Sequence, residues 1–591
     1  MGRPLRKVLV ANRGEIALRV MRACREEGIS SVAVYAAGEG DPWHARYADE
    51  AVELVSEMPL PYLDGEAVLR VAIDTGADAI HPGYGFLAED ARFAGACDAS
   101  GITFVGPSGA VIATMGNKVE ARRAATAAQV PIVPGSDGPV DLEGARAFAT
   151  EHGYPVALKA SAGGGGRGFR VARSMDELAD ALEGARGEAR RYFNDDAVYV
   201  ERYLERPRHV EIQVMADLHG NVVALGERDC SIQRRHQKLI EETPSPALTP
   251  DIRAAMNATT EQLARAVGYT GAGTVEFLFS DDAFYFLEMN TRIQVEHPIT
   301  EQVTGIDLVR EQLRVASGVR LSFTAPVEMR GHAIECRINA EDPARDFAPS
   351  PGRLTEFQIP SGFGVRVDTG FQAGGEVDPR FDNLLAKLVV TGRDRSEALS
   401  RLERSLRDFH VDGVATTIPL FQLLIRQREF ASGDYDTGYL SRSGVLERLA
   451  PYAPPADAED PDSLAVVVNG RTFRVQLPDG WAGSPGGAGR IGGGPQQRVR
   501  RASTSSSAGP AGRELKCPIQ GTVLTVTVAQ NEHVDVGQLI CTVEAMKMEN
   551  EVAAHRAGIV TELRVSAGQT VKTGEVLAVI DGSPEAGGEA T

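Results

Sequence analysis

Cysteine is scarce in this sequence. Six occur in 591 residues, at positions 24, 97, 230, 336, 517 and 541, with no paired spacing. That excludes a disulfide framework and a cysteine zinc site. Positive charge is in deficit too: 62 lysines and arginines face 81 aspartates and glutamates, a net charge of −19. Nucleic acid and membrane surfaces are therefore poor general partners. No apolar run is long enough to span a bilayer. Behind Arg3, Arg6 and Lys7 the apolar stretch Val8 to Ala11 is too short for a signal-peptide core and reads as a β-strand. What is there is ordinary globular material, 43 % hydrophobic and 24 % charged, in a length that predicts about four domains. The expectation is a soluble, cytoplasmic, multidomain chain.

Over about the first 110 residues, short apolar strands at Val8–Val10, Ser31–Tyr35, Ala79-Ile80 and Thr103–Val105 alternate with helical spacing such as Ile16, Val20 and Cys24. This predicts an open, mostly parallel sheet. A strand at Val156–Lys159, a glycine run at Gly163–Gly168 and a strand at Phe169–Val171 follow. Val275–Asn290 alternates as a hairpin turning at Asp281-Asp282. Ala398, Leu399, Leu402, Leu406 and Phe409 mark an amphipathic helix, and residues 464–477 a small hairpin about Asn469-Gly470. Residues 483–513 are rich in Gly, Ser, Pro and Arg and contain no acid. They cannot bury a core and read as a flexible basic linker. Behind the linker, Gly521–Glu544 and Gly558–Asp581 align without gaps at an offset of 37. Two such copies predict a pseudo-twofold β-structure with Glu544-Ala-Met-Lys-Met-Glu549 between them.

Three constellations carry chemistry. Gly163, Gly165 and Gly168 fit G-x-G-x-x-G, but the chain returns to a strand and opens no helix, so this is no dinucleotide turn. The run suits either a loop over nucleotide phosphates, with Lys159 ahead of it as a fixed cation, or a plain surface hairpin. In the second hairpin, a turn centred between Asp281 and Asp282 sets Glu276 opposite residue 287 and beside Glu288, which shares a face with Asn290. Two carboxylates and an amide oxygen among phenylalanines suit Mg²⁺, since unpaired buried acids are costly. Arg292 and Glu296 follow directly, a pair able to bind a small anion and take its proton. Clustered cations at Arg208-His209 and Arg228–Lys238 call for an anionic partner, phosphate being the simplest. Third, Lys547 lies between Met546 and Met548 at a predicted tip, which suits covalent loading better than solubility.

Several motifs stand in order along the chain: Val10-Ala-Asn-Arg-Gly-Glu-Ile16, His81-Pro-Gly-Tyr-Gly-Phe-Leu87, Gly163-Gly-Gly-Gly-Arg-Gly168, Arg208-His-Val-Glu-Ile-Gln213, Glu288-Met-Asn-Thr-Arg-Ile-Gln-Val-Glu-His297, Glu335-Cys-Arg-Ile-Asn-Ala-Glu341 and Glu544-Ala-Met-Lys-Met548. Together they resemble the α-subunit of an acyl-CoA carboxylase of the actinobacterial acetyl-/propionyl-CoA type. That is a biotin carboxylase of the ATP-grasp superfamily joined to a biotin carboxyl carrier domain. The resemblance implies an α/β multidomain fold. A parallel-sheet N-terminal domain (1–115) precedes an ATP-grasp domain (116–330) with a lid at 135–205 and an α+β C-terminal domain (331–446). A connecting segment (447–482), the linker (483–513), an all-β flattened barrel of biotinyl/lipoyl type (514–582) and a disordered tail (583–591) complete it.

The resemblance also assigns residues. Lys118 and Lys159 would contact ATP phosphates, and Gly165 and Gly166 belong to the lid. Glu201, Arg202, Tyr203, Leu204 and His209 would hold the adenine and ribose side, with His236 close by. Glu276, Glu288 and Asn290 match metal ligands for Mg²⁺ or Mn²⁺; Lys238, Arg292 and Val295 match a bicarbonate pocket, and Glu296 its base. Arg337 would stabilise the biotin enolate, Tyr84 would lie near the ureido ring, and Lys547 would carry biotin. The implied reaction is MgATP-dependent carboxylation of biotin by bicarbonate through carboxyphosphate, in fatty acid biosynthesis. Implied partners are a carboxyltransferase β-subunit, a biotin protein ligase and further copies of this chain in a hetero-oligomeric complex. The sequence departs from the family pattern at Phe381-Asp-Asn-Leu-Leu-Ala-Lys387 and Thr416-Thr-Ile-Pro419, outside the ATP-site motifs. Two rivals explain less. Another ATP-grasp ligase needs no Met-Lys-Met carrier. A lipoylated scaffold would show Asp-Lys-Ala at its tip and have no use for Glu276, Glu288, Arg292 and Glu296 together.

Overall fold

Val8, Leu9 and Val10 are apolar on both faces, so the strand they form has to be covered on both sides. It is the middle of a five-stranded sheet. Strands β1 (Lys7–Val10), β2 (Ser30–Ala36), β3 (Glu50–Leu54), β4 (Ala79–His81) and β5 (Thr103–Phe104) lie in the order β3-β2-β1-β4-β5, every pairing parallel. Helix α1 (Gly14–Glu26) covers one side through Ile16, Ala17, Val20 and Cys24. The structure is a computed structural model. It describes residues 4–40, 42–136, 138–160, 169–193, 197–235, 237–453, 463–468, 471–476, 513–517, 521–545, 548–572 and 574–581. The expectations for Gly165, Gly166, His236, the Asn469-Gly470 turn, the linker before Arg513, Lys547 and the tail lie outside those residues.

The chain divides into two compact units, one of Met1–Asp378 with Asn383–Pro451 and one of Pro379–Asp382 with Tyr452–Thr591. In the first, β6 (Val156–Ala160), β7 (Phe169–Ala172) and β8 (Val198–Arg202) form a small antiparallel sheet in the order β7-β6-β8. The chain then runs through β9 (Arg208–Ala216), β10 (Val222–Arg234), β11 (Gln237–Thr243), α2 (Pro250–Ala266), β12 (Gly271–Ser280), β13 (Ala283–Asn290) and α3 (His297–Thr304). It continues through β14 (His332–Asn339), β15 (Val365–Thr369), β16 (Leu384–Gly392) and α4 (Arg395–Asp408). Eight of these strands make one antiparallel sheet ordered β13-β12-β9-β10-β11-β14-β16-β15.

Alternation along the strands gives this sheet two unlike faces. Val210, Ile212, Val275, Phe277 and Phe279 pack on Met256 and Leu263 of α2. Ile334, Cys336, Ile338, Leu388 and Val390 pack on Ala398, Leu402 and Leu406 of α4. The opposite face carries His209, Glu211, Glu276, Glu335, Arg337 and Lys387, the charged half of the candidate site.

The β12–β13 hairpin turns where expected, with Asp281 and Asp282 at φ +53° and +58°, as a two-residue type I′ turn requires. Its register corrects the sequence expectation. Glu276 faces Glu288, not residue 287, because Leu287 is an extra, exposed residue in a β-bulge between the Phe277–Phe286 and Glu276–Glu288 pairs. A bulge changes side-chain parity. Phe284 and Phe286 thus point to the core, while Glu288 and Asn290 point to the charged face.

In the second unit, strands Ser463–Val468 and Arg471–Gln476 pair as a hairpin. The repeat region forms two four-stranded sheets. Gly521–Val526 pairs with Leu539–Ala545 of its own copy and with Thr570–Val571 of the other. Gly558–Leu563 pairs with Val576–Asp581 of its own copy and with His533–Val534 of the first. The copies are interleaved, and the matched residues Val523 and Val560, Val528 and Val565, Val534 and Val571, Val543 and Ile580 are all buried in one core. All six cysteines are buried, and Cys24, Cys97, Cys230, Cys336 and Cys541 are free thiols. Among the described residues, no helix is long and apolar enough to cross a membrane.

Candidate active site

Register sets Glu288, Glu276, Glu211 and Arg228 in one row across β13, β12, β9 and β10. A second irregularity, between Ala224 and Glu227, brings Arg228 into line. Gly226 makes it possible: it sits at φ +87°, and a Cβ there would come within 2.3 Å of the Met329 sulfur. Arg228 is wholly buried and donates to Glu211 at 2.6 Å, Gln213 at 2.7 Å and Thr300 of α3 at 3.0 Å.

Lys238 stands at the centre. Its ammonium lies 2.6 Å from Glu211, 2.9 Å from Glu276 and 2.8 Å from Glu296. Burial opposes its charge, but the three carboxylates hold its pKa well above the ordinary lysine value. Glu296 also receives Arg337 at 2.8 Å and Cys230 at 3.7 Å. Burial would raise Glu296; Lys238, Arg337 and Arg228 outweigh it and hold the carboxyl well below the usual range. Arg337 is fixed from its other side by Glu241 at 2.6 Å. Burial drives Glu241 up to about 7, against the pull of Arg337.

The turn after β13 is held from several directions. Arg292 donates to Glu89 of the N-terminal domain at 2.9 Å, to Gln294 at 2.9 Å and to the Asn290 amide oxygen at 3.1 Å. The Val295 carbonyl accepts from Lys387 at 3.1 Å. Glu296 occupies the N-cap position of α3 without a side-chain cap hydrogen bond, so the positive end of that helix lies beside the turn.

The sequence pattern makes Glu276 an unpaired acid awaiting a cation; the structure corrects this. Glu276 already has Lys238, Asn290 at 2.9 Å, Gln294 at 3.1 Å and His209 at 2.8 Å. Glu288 differs: it has no ion-pair partner among the described residues, and burial and the facing Glu276 carboxylate push it above the ordinary range. An acid so placed, with a second carboxylate and an amide oxygen at hand, suits Mg²⁺, a hard cation that binds oxygen. Two other close donor sets, His209-Glu211-Glu276 and Glu211-Cys230-Glu296, share their carboxylates with the Lys238 ammonium.

On the nucleotide side, Lys159 of β6 is paired with Glu201 of β8, and Lys118 is exposed at the start of a helix. Arg202 and Tyr203 are tied by their backbone N–H groups to Pro134 and Pro155, and Leu204 is buried. Tyr84 donates to Glu15, whose carboxylate also lies 3.0 Å from Lys387. Sequence reasoning missed Glu15, Glu89, Glu241 and Lys387, and it expected an anion such as phosphate for the cluster beginning at Arg228, which the structure pairs with Glu211. For Glu211 a signal existed, since His209, Glu211 and Gln213 alternate on one face of an otherwise apolar strand.

Comparison with known proteins agrees with this geometry. Four family models match in order: the biotin carboxylase N-terminal domain over residues 4–112, the carbamoyl-phosphate synthase L chain ATP-binding domain over 117–324, the biotin carboxylase C-terminal domain over 335–442 and the biotin-requiring enzyme domain over 513–580. The biotin carboxylase domain of the Hydrogenobacter thermophilus 2-oxoglutarate carboxylase, a dimer solved with MgADP and bicarbonate, is 46 % identical. It superimposes with a TM-score of 0.69, covering 76 % of this chain and all of that one. The first unit is thus an ATP-dependent biotin carboxylase, and biotin, ATP and Mg²⁺ are the cofactors of the whole. Biotin carboxylase 1 of Bacillus subtilis is 51 % identical over 75 % of this chain and 99 % of its own length. The biotin-dependent acyl-coenzyme A carboxylase alpha3 subunit of Mycobacterium leprae is 46 % identical over 97 % of this chain and 98 % of its own. The chain belongs to the family of biotin-dependent acyl-CoA carboxylase α-subunits, biotin carboxylases fused to a biotin carrier domain.

Proposed function

We propose that the protein carboxylates biotin carried on its own Lys547, using MgATP and bicarbonate, and that a separate carboxyltransferase β-subunit passes the carboxyl group to acetyl-CoA or propionyl-CoA. The observation that carries this reading is Glu296, clasped between Lys238 and Arg337 at 2.8 Å each, at the end of the turn bearing Arg292. Arg292 and Lys238 bind the bicarbonate anion, and Glu296, fully ionised at neutral pH, takes its proton as it attacks the γ-phosphate of ATP. The surrounding cations lower the proton affinity of Glu296, but they also stabilise the dianion left behind. Lys118 and Lys159 hold the phosphates, and Glu201, Arg202, Tyr203, Leu204, His209 and His236 border the adenine and ribose. Glu276, Glu288 and Asn290 would hold Mg²⁺, which supplies charge neutralisation for the phosphates when bound. Arg337, fixed by Glu241 and Glu296, is the cation for negative charge developing on the carrier-bound ring, with Tyr84 beside it. Gly165 and Gly166 belong to the lid that keeps water out.

Lys547 is loaded by a biotin protein ligase. The biotin carboxylase unit pairs with a second copy, as the Hydrogenobacter domain does. Free thiols at Cys24, Cys97, Cys230, Cys336 and Cys541 support a reducing compartment, the cytoplasm. The test is incubation of the biotinylated chain with MgATP and radiolabelled bicarbonate. Acid-labile label should appear on the carrier, should be absent in Lys547→Arg and should move to acetyl-CoA or propionyl-CoA once the β-subunit is added. A chain that takes up no label overturns the reading.

A further inference from the structure

Lys387 has no assigned part in this chemistry, yet it is a wholly buried lysine at the meeting of three segments. It comes from β16, in register with Arg337 on β14, so its backbone is as rigid as the sheet. Its ammonium lies 3.0 Å from the Glu15 carboxylate at the start of α1. It donates at 3.1 Å to the Val295 carbonyl, on the turn between Arg292 and Glu296. Tyr84 donates to the same Glu15 oxygen, and the ammonium is 5.9 Å from the centre of the Tyr84 ring.

A buried ion pair is a weak source of stability, because desolvation offsets most of the attraction and well-packed apolar groups often do as well. Apolar groups could not supply the donor to Val295. That carbonyl lies in a turn with no strand partner, and without Lys387 it would be a partly buried acceptor that loses its lysine donor. We infer that Lys387 is a positioning residue for bicarbonate: it fixes the Val295 carbonyl, and with it the Arg292–Glu296 turn, against the Glu15–Tyr84 pair of the N-terminal domain. The inference rests on the functional reading above, in which this turn holds bicarbonate. ATP is bound by other segments, so the effect should be selective.

The test is Lys387→Met in the full biotinylated chain. The KM for bicarbonate in ATP cleavage should rise about tenfold or more while the KM for ATP changes less than about twofold. In a readout independent of turnover, bicarbonate titrated into the MgADP-bound protein should need about tenfold higher concentration to raise the melting temperature. Lys387→Met strands Glu15 as a buried charge, so Glu15→Gln/Lys387→Met is made as well. It removes the pair together, should fold, and should keep the raised bicarbonate KM because Val295 still lacks its donor. An unchanged bicarbonate KM in either variant, or equal rises for bicarbonate and ATP, would overturn the inference alone. Failure of both variants to fold would make Lys387 a structural residue and overturn it too. A wild-type chain without bicarbonate-dependent ATP cleavage would overturn the functional reading and the inference with it.

Discussion

Arg228 and Glu211 meet at 2.6 Å with neither side chain exposed to solvent. Glu211 in turn holds Lys238, so the ammonium proposed to bind bicarbonate rests on a fully buried salt bridge. Removing one partner of such a pair leaves an uncompensated buried charge. Arg228→Met should cost about 3–5 kcal/mol of unfolding free energy, measured by denaturant titration, and should lower turnover by releasing Lys238.

Glu296→Gln keeps the size of the side chain and removes the proton acceptor. Bicarbonate-dependent ATP cleavage should fall by about 10²-fold or more, while nucleotide affinity, measured by calorimetry, should stay within about twofold. Near-normal turnover would remove Glu296 from its role as base.

Glu288→Gln relieves the repulsion across the Glu276–Glu288 pair and removes the negative charge of a proposed Mg²⁺ ligand. The Mg²⁺ concentration for half-maximal ATP cleavage should rise about tenfold or more. EDTA should abolish cleavage in wild type, and excess Mg²⁺ should restore it.

Burial pushes the Glu241 carboxyl up to about 7 in the folded chain, above the ordinary value of 4.5 that it regains on unfolding. A folded-state pKa raised in this way gives stability that is full below the lower value and is lost as pH rises through the upper one. Between pH 4.5 and 7 the wild type should therefore lose stability relative to Glu241→Gln. Melting temperatures across that range check it: the difference should grow with pH and level off above it.

Local pattern carries a large part of this structure. The parallel sheet, the Asp281-Asp282 turn and the interleaved carrier repeat follow from alternation, turn residues and self-similarity, which neighbouring residues decide. The hairpin register does not follow, because one extra residue at Leu287 leaves no mark in composition yet reverses the parity of everything after it. Nor does Glu89 reaching Arg292, or Glu15 reaching Lys387. Those contacts join segments about 200 and 370 residues apart, and only tertiary packing sets them. For the cation around Glu276, local reasoning asks the right question, how a buried acid is neutralised, and overlooks Lys238 and His209 as part of the answer.

The family boundaries at 324 and 335 lie ahead of β14 and within it, and β14 is a hydrogen-bonded neighbour of β11 in one sheet. A cut there would expose a long strand edge on each fragment, with bare amides and carbonyls ready to recruit another chain. The pieces would aggregate or exchange strands before they behaved as separate modules. Anyone recombining this carboxylase with other carriers should transplant the body through residue 451 whole.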